Sequence, residues 1–273
     1  MACLSTQDTL AKLLMASLAP VLIMWARYAL QCALSVASVM RHDSRGSPGL
    51  WRSRRPGLQV LRGALVVVGS VFGYAALHRM PVAEFTAIYC LGPSLVTLAA
   101  RFVLKERVSP LGWVCIAGGL AGCLLVLRPG GQVDPTGAAV ALAGVVCYTS
   151  FQALTGALAR HDAPQTIHLY TSVLGALCFS LLVPWFWPDR IAFNELLLLL
   201  TIALAGTYGQ YFMVVAFARA PASVVSPYLY SAIAFSVLGG WAVFGHVPDR
   251  WSLAGMALIA GFGWVAAVSR RAP

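Results

Sequence analysis

Charge is what this sequence has least of. Only 10% of its 273 residues are Asp, Glu, Lys or Arg, against about a quarter in a soluble domain. A soluble fold of this length needs far more polar surface to cover its core. Soluble enzymes, nucleic-acid-binding modules and disordered chains are therefore excluded classes. Lysine is scarcer still. Lys12 and Lys105 are the only two, followed by Leu13 and Glu106. No Gly-Lys-Ser/Thr phosphate loop exists, which excludes a self-contained ATP-driven pump. Gly-x-Ser-x-Gly and His-Glu-x-x-His are also missing. The seven cysteines form no Cys-x-x-Cys and no Cys/His cluster. They read as small buried hydrophobes, and no metal or cofactor is expected. The two Arg-His-Asp runs, Arg41-His42-Asp43 and Arg160-His161-Asp162, read as solvated loop turns.

What the sequence has is apolar length. Apolar residues make up 59% of it, and about 20 in a row cross a bilayer as a helix. Ten segments qualify or nearly so: Ala2–Ala16, Leu18–Met40, Val60–Leu77, Phe85–Leu104, Leu111–Leu127, Gly137–Leu158, Ile167–Phe186, Leu196–Phe217, Val224–Phe244 and Leu253–Val268. The first is short and carries Gln7, Asp8 and Lys12. It reads as a helix lacking its beginning rather than as a signal peptide, because it has no basic leader. The predicted class is an all-α integral membrane protein of ten transmembrane helices.

The net charge of +10 fits basic loops on one side of a membrane. With the Arg41–Gln59 loop placed in the cytoplasm, 13 basic residues fall inside, Arg62 among them, and four outside. The positive-inside rule then puts both termini in the cytoplasm.

The chain repeats itself. Leu77-His78-Arg79-Met80-Pro81-Val82-Ala83 resembles Phe217-Ala218-Arg219-Ala220-Pro221-Ala222-Ser223, and Gly112, Ile116, Ala117 and Gly118 match Gly255, Ile259, Ala260 and Gly261. Five helices per half is an odd number, so the second half enters the membrane from the opposite side. Residues 1–129 and 130–273 would be the two inverted repeats. Lys105-Glu106-Arg107 then faces inward, while its counterpart Gly245-His246-Val247 faces outward and has lost its Lys and Arg.

These motifs carry a family resemblance. The run Ala76–Ile88, with Pro93, Lys105-Glu106-Arg107, Gly112, Gly118 and Leu127-Arg128-Pro129-Gly130, resembles the EamA family of the drug/metabolite transporter superfamily. The second half is similar to that family's second repeat in Ala218-Arg219-Ala220-Pro221-Ala222, Pro227, Phe244-Gly245, Trp251 and Gly255. The resemblance implies ten helices, residence in a bacterial inner membrane and movement of small metabolites, often export. It departs from the family at His246, where Glu is usual; an exposed outer loop is expected there.

Ionisable groups inside a membrane are costly and hence functional or paired. Asp8 and Lys12 are four residues apart and can pair on one helix face. Arg27 is expected to snorkel or to meet a backbone carbonyl. Thr86 and Tyr89, Tyr148 and Gln152, Tyr211 with Thr207 and Gln210, and Tyr230 with Ser231 recur at helical spacing. A cavity lined by such groups suits an amphipathic metabolite. Pro93 and Pro227 interrupt their spans, which is tolerated beside a cavity. The candidate substrate-binding set is Asp8, Lys12, Thr86, Tyr89, Tyr148, Gln152, Tyr211 and Tyr230. Proton coupling or solute exchange would drive it, with the lipid bilayer as the other partner. The glycines around 118–122 and 255–263 are expected to pack helices within the fold. Two alternatives stay open: a membrane-embedded enzyme acting on a lipid-like substrate, and a non-transporting membrane subunit.

Overall fold

Five helices begin on a proline: Pro20, Pro56, Pro110, Pro135 and Pro164. A first-turn proline forgoes only an amide that has no helical partner, and its fixed φ suits the helix. The structure, a computed structural model, describes residues 1–43, 50–92, 95, 110–126, 134–159, 161–219 and 229–269. Among them are ten α-helices and no strand: α1 (Ala2–Leu14), α2 (Pro20–Asp43), α3 (Pro56–Arg79), α4 (Val82–Tyr89), α5 (Pro110–Val126), α6 (Pro135–Leu158), α7 (Pro164–Leu182, extended by a 3-10 turn to Phe186), α8 (Phe193–Arg219), α9 (Ser231–Phe244) and α10 (Arg250–Ser269). Five of them (α2, α3, α6, α7 with its extension, and α8) are long and apolar enough to cross a membrane, and α5 and α9 are shorter apolar helices. Pro93, Pro227 and Lys105-Glu106-Arg107 lie outside the described residues.

The helix ends are sealed by side chains at the expected places. Asp134 Oδ2 accepts from the Gly137 amide at 2.9 Å, and Asp249 Oδ1 from the Ser252 amide at 2.7 Å. Each satisfies a first-turn donor of α6 or α10. Glu195 Oε2 reaches back to the Ala192 amide at 2.9 Å, one arm of a capping box on α8. Gly245 ends α9 at φ +64°, a left-handed turn that glycine adopts without a Cβ penalty. Its amide and that of His246 fold back onto the Trp241 and Gly240 carbonyls.

The helices group into two compact units. The first comprises Ala2–Ser70 and Phe151–Arg219; the second comprises Val71–Ser150 and Ala220–Pro273, with Met1. Each unit draws on both halves of the sequence, and α3 and α6 contribute to both.

Within the second unit α5 packs along α10. An added Cβ on Gly122 would stand 2.7 Å from the Gly255 carbonyl, and one on Gly255 would stand 2.5 Å from the Gly122 carbonyl. The two backbones meet with nothing between them, and Gly118 opposes the Phe262 ring. These glycines pack helices within the fold, as expected. In lipid that close contact supplies the association energy that burial from water supplies elsewhere. The same unit holds Glu84, 1% exposed in the first turn of α4. His246 does not sit in a freely exposed loop: it is half-buried, with Nε2 3.3 Å from Glu84 Oε1.

Within the first unit α2 packs on α7 and α8, and α1 on α8. Leu158, Ile167 and Val214 form a closed apolar cluster. Asp162 corrects the sequence reading of a solvated turn. Its residue is only 8% exposed. Its carboxylate accepts from the Ser53 hydroxyl, from the Arg54 amide at 3.0 Å and from Gln59 Nε2 at 2.8 Å. Thr166 Oγ1 adds a bond to the Leu50 carbonyl at 2.8 Å. The loop before α3 is thereby tied to the start of α7.

Candidate functional site

Polar side chains inside the first unit form a connected network. On α1, Asp8 Oδ1 accepts from Gln7 Nε2 at 3.0 Å. Gln7 Oε1 accepts from Arg27 Nη1 of α2 at 3.4 Å, and Arg27 Nη2 donates to Ser70 Oγ of α3 at 3.1 Å. The Tyr28 hydroxyl shares that serine at 2.9 Å. Arg27 is 6% exposed, so it is buried among side-chain oxygens and does not snorkel. It is also the charge that acts on Asp8. Lys12 lies one turn further along α1, half-buried. Small residues admit these long side chains: Gly206 faces Gln7 and Arg27, and Gly175 faces the Tyr28 ring.

Charge counting places Arg62 on the cytoplasmic side at the start of its span, and the structure buries it. It is 1% exposed, on α3. Its Nε donates to Thr155 Oγ1 at 2.7 Å, and its Nη1 donates to the Ile167 carbonyl at 3.1 Å and to Thr171 Oγ1. The guanidinium lies over the Phe151 ring, 4.3 Å from its centroid. The hydropathy reading began this helix at Val60. Pro56, as a first-turn proline, was the signal for an earlier start, which puts Arg62 two turns inside.

Arg27 and Arg62 line one cavity of about 10 Å³, together with Tyr28, Gln31, His168 and Gln210 and four less polar neighbours. It is the size of one water. His168 is 5% exposed, and its Nε2 is buried with no hydrogen-bond partner among the described residues. The Tyr211 ring meets His168 edge-on at 5.7 Å. Gln152 of α6 is half-buried, with Oε1 buried and unbonded among the described residues.

The remaining candidates belong to the second unit. Tyr89 and Tyr148 meet with ring centroids 5.6 Å apart, and Gly73 and Gly144 make room for the Tyr89 hydroxyl. Thr86 bonds within its own helix, to the Val82 carbonyl at 2.8 Å. Tyr230 is 7% exposed and lies against Gly263 of α10. The structure thus brings Tyr89 to Tyr148 and Tyr211 to His168. Sequence reasoning missed Arg62, His168 and Gln31, and underrated Arg27.

A family model described as the EamA-like transporter family matches residues 1–128 and 135–265. A riboflavin transporter of Rhizobium johnstonii is 28% identical over 76% of this chain and 69% of its own length. One from Brucella anthropi is 25% identical over 88% and 85%. An S-adenosylmethionine uptake transporter of Rickettsia prowazekii is 22% identical over 76% and 70%. A protein crystal structure superposes over 99% of this chain and 96% of that one, with a TM-score of 0.69 at 24% identity, which speaks for the fold.

Proposed function

Because the chain belongs to the EamA-like transporter family, we propose that it is a secondary transporter that moves a small organic metabolite across the bacterial inner membrane by alternating access, in the export direction. The family is one of transporters rather than enzymes, and the chain is an all-helical membrane protein. The observation that carries the reading is the buried polar network of the first unit. A chain with so little charge keeps Arg27, Arg62 and His168 away from water and holds Asp8 half-buried beside them. Buried ionisable groups at membrane depth mark solute or proton paths.

Ten spans in two inverted repeats, residues 1–129 and 130–273, suit this function. The family match to both stretches supports that arrangement. Both termini lie in the cytoplasm. With Arg62 removed from the count the basic asymmetry is still twelve to four. The polar groups of the network and the Tyr89–Tyr148 pair serve as solute contacts.

Flux into or out of proteoliposomes holding the purified chain tests the reading. Riboflavin and S-adenosylmethionine come first, because relatives are named for them, followed by amino acids. Solute accumulation against its gradient, or counterflow, is the expected result. No movement of any of these above protein-free vesicles, from a correctly folded preparation, would refute it.

A further inference from the structure

We infer that the cavity between Arg62 and Arg27 is a subsite for a carboxylate group of the transported solute. The inference rests on the transporter reading and narrows it to organic monoanions or zwitterions.

The argument starts with a charge count inside the first unit. Two guanidinium groups line the cavity, and none of the residues lining it is Asp or Glu. Arg27 reaches an acidic residue, Asp8, through Gln7. Arg62 has none among the described residues. Its partners are two threonine hydroxyls, one carbonyl and an aromatic face, all neutral. Among the described residues the Arg62 charge is therefore buried without compensation, at a site 1% exposed. Such a burial is costly in a helix bundle unless a negative charge comes to meet it. His168 Nε2 is a second observation: a buried, unbonded ring nitrogen on a residue that lines the same space.

The chemistry of the anion follows from the same residues. A surplus of one charge calls for a monoanion, which favours a carboxylate over a phosphate ester carrying nearly two. Arg62 Nε and Nη1 are taken by Thr155, the Ile167 carbonyl and Thr171, so Nη2 is the donor that meets the carboxylate, in a charge-assisted bond. Gln31 and Gln210 add amide donors. The space holds one water-sized group, so a carboxylate enters it by an oxygen and the body of the solute lies outside. Gln210 is half-exposed, so the rest of the solute extends on that side. A water in the same place would hydrogen-bond without balancing the charge.

The test uses the full chain in detergent and measures thermal stabilisation by three acid–amide pairs: nicotinate and nicotinamide, benzoate and benzamide, L-phenylalanine and its amide. Inorganic phosphate is the further arm. The acids should bind at least about tenfold more tightly than their amides. Arg62→Gln should erase that preference, and Arg62→Lys should keep part of it. Should Arg62→Gln not fold, Gln210→Leu at the half-exposed rim should still weaken acid binding and leave amide binding unchanged. Equal affinity for acid and amide overturns the inference. So does an acid preference that survives Arg62→Gln, stronger binding of phosphate, or no stabilisation by any acid. Flux of riboflavin, which carries no carboxylate, keeps the two claims apart. If riboflavin moves in wild type and Arg62→Gln alike while acids and amides bind equally, the transporter reading stands and the subsite falls. If the acids bind through Arg62 and no solute moves, the subsite stands and the transporter reading falls.

Discussion

Replacing Asp162 by alanine should loosen the whole Leu50–Gln59 loop. The side chain accepts three hydrogen bonds across the start of α7, from the Ser53 hydroxyl, the Arg54 amide and Gln59 Nε2. A bond to a charged acceptor contributes about 1.5–3 kcal/mol. Ser53 and Arg54 lie near the surface, so water recovers much of their share once the carboxylate is gone. Gln59 is fully buried, and its amide would be stranded, at a cost of about 1–3 kcal/mol. The total loss comes to about 2–4 kcal/mol. That raises the open population of the loop at least about tenfold. Trypsin should then cut after Arg52 or Arg54 at least about tenfold faster, and the apparent Tm should fall by roughly 5–15 °C. Asp162→Asn keeps one acceptor oxygen and should lose about half as much. Burial alone would push the Asp162 carboxyl up, but the Ser53 hydroxyl, the Arg54 amide, the Gln59 amide and the Arg54 charge outweigh it and hold the group below its ordinary value. Its contribution is therefore complete above the unfolded pKa of about 4 and is lost only as pH falls through the lower, folded one. The Tm gap between wild type and Asp162→Ala should stay constant from pH 8 to about pH 5. Wild-type nicking and an unchanged Tm in Asp162→Ala would refute this reasoning.

Three further outcomes are expected. Gly122→Ala and Gly255→Ala each push a Cβ into a facing backbone carbonyl and should cost about 1–3 kcal/mol, read as a lower Tm in detergent. Gly261→Ala, with open space around it, should melt like wild type. Asp8→Asn should abolish concentrative flux while the protein still folds; if Asp8→Asn combined with Arg27→Gln recovers full flux, Asp8 only balances a charge and neither carries protons nor binds solute. Tyr148→Phe should weaken flux at normal expression through loss of one hydroxyl, and unchanged flux and affinity in both Tyr148→Phe and Gln152→Ala would make these residues packing alone.

The sequence was most informative where information is local. Helix positions follow from apolar runs and first-turn prolines, and the glycine contacts of α5 with α10 from matching small residues in two places. What it withheld is which polar atoms meet across long separations. Arg62 reads as one more basic residue at a span's cytoplasmic end until Thr155 and Thr171 are seen to accept from it. Asp162 reads as a solvated turn until the Ser53–Gln59 stretch closes over it. Periodicity reports which face a residue occupies, not which partner waits there. A charge near an apparent helix end looks the same whether water or a buried hydroxyl satisfies it.

The bonds of Arg62 also set a schedule for biosynthesis. Its three partners come 93 to 109 residues later in the chain. At roughly 5–20 residues per second, the ribosome needs about 5–20 s to supply them. For that interval α3 must wait in or beside the bilayer with a guanidinium whose described partners have yet to be made. Lipid offers that group no hydrogen bonds. The nascent chain therefore depends on a hydrated shelter, the translocon or an insertase, until α6 and α7 arrive. The residues that make the finished interior polar are the same ones that make this protein slow to leave its insertion machinery.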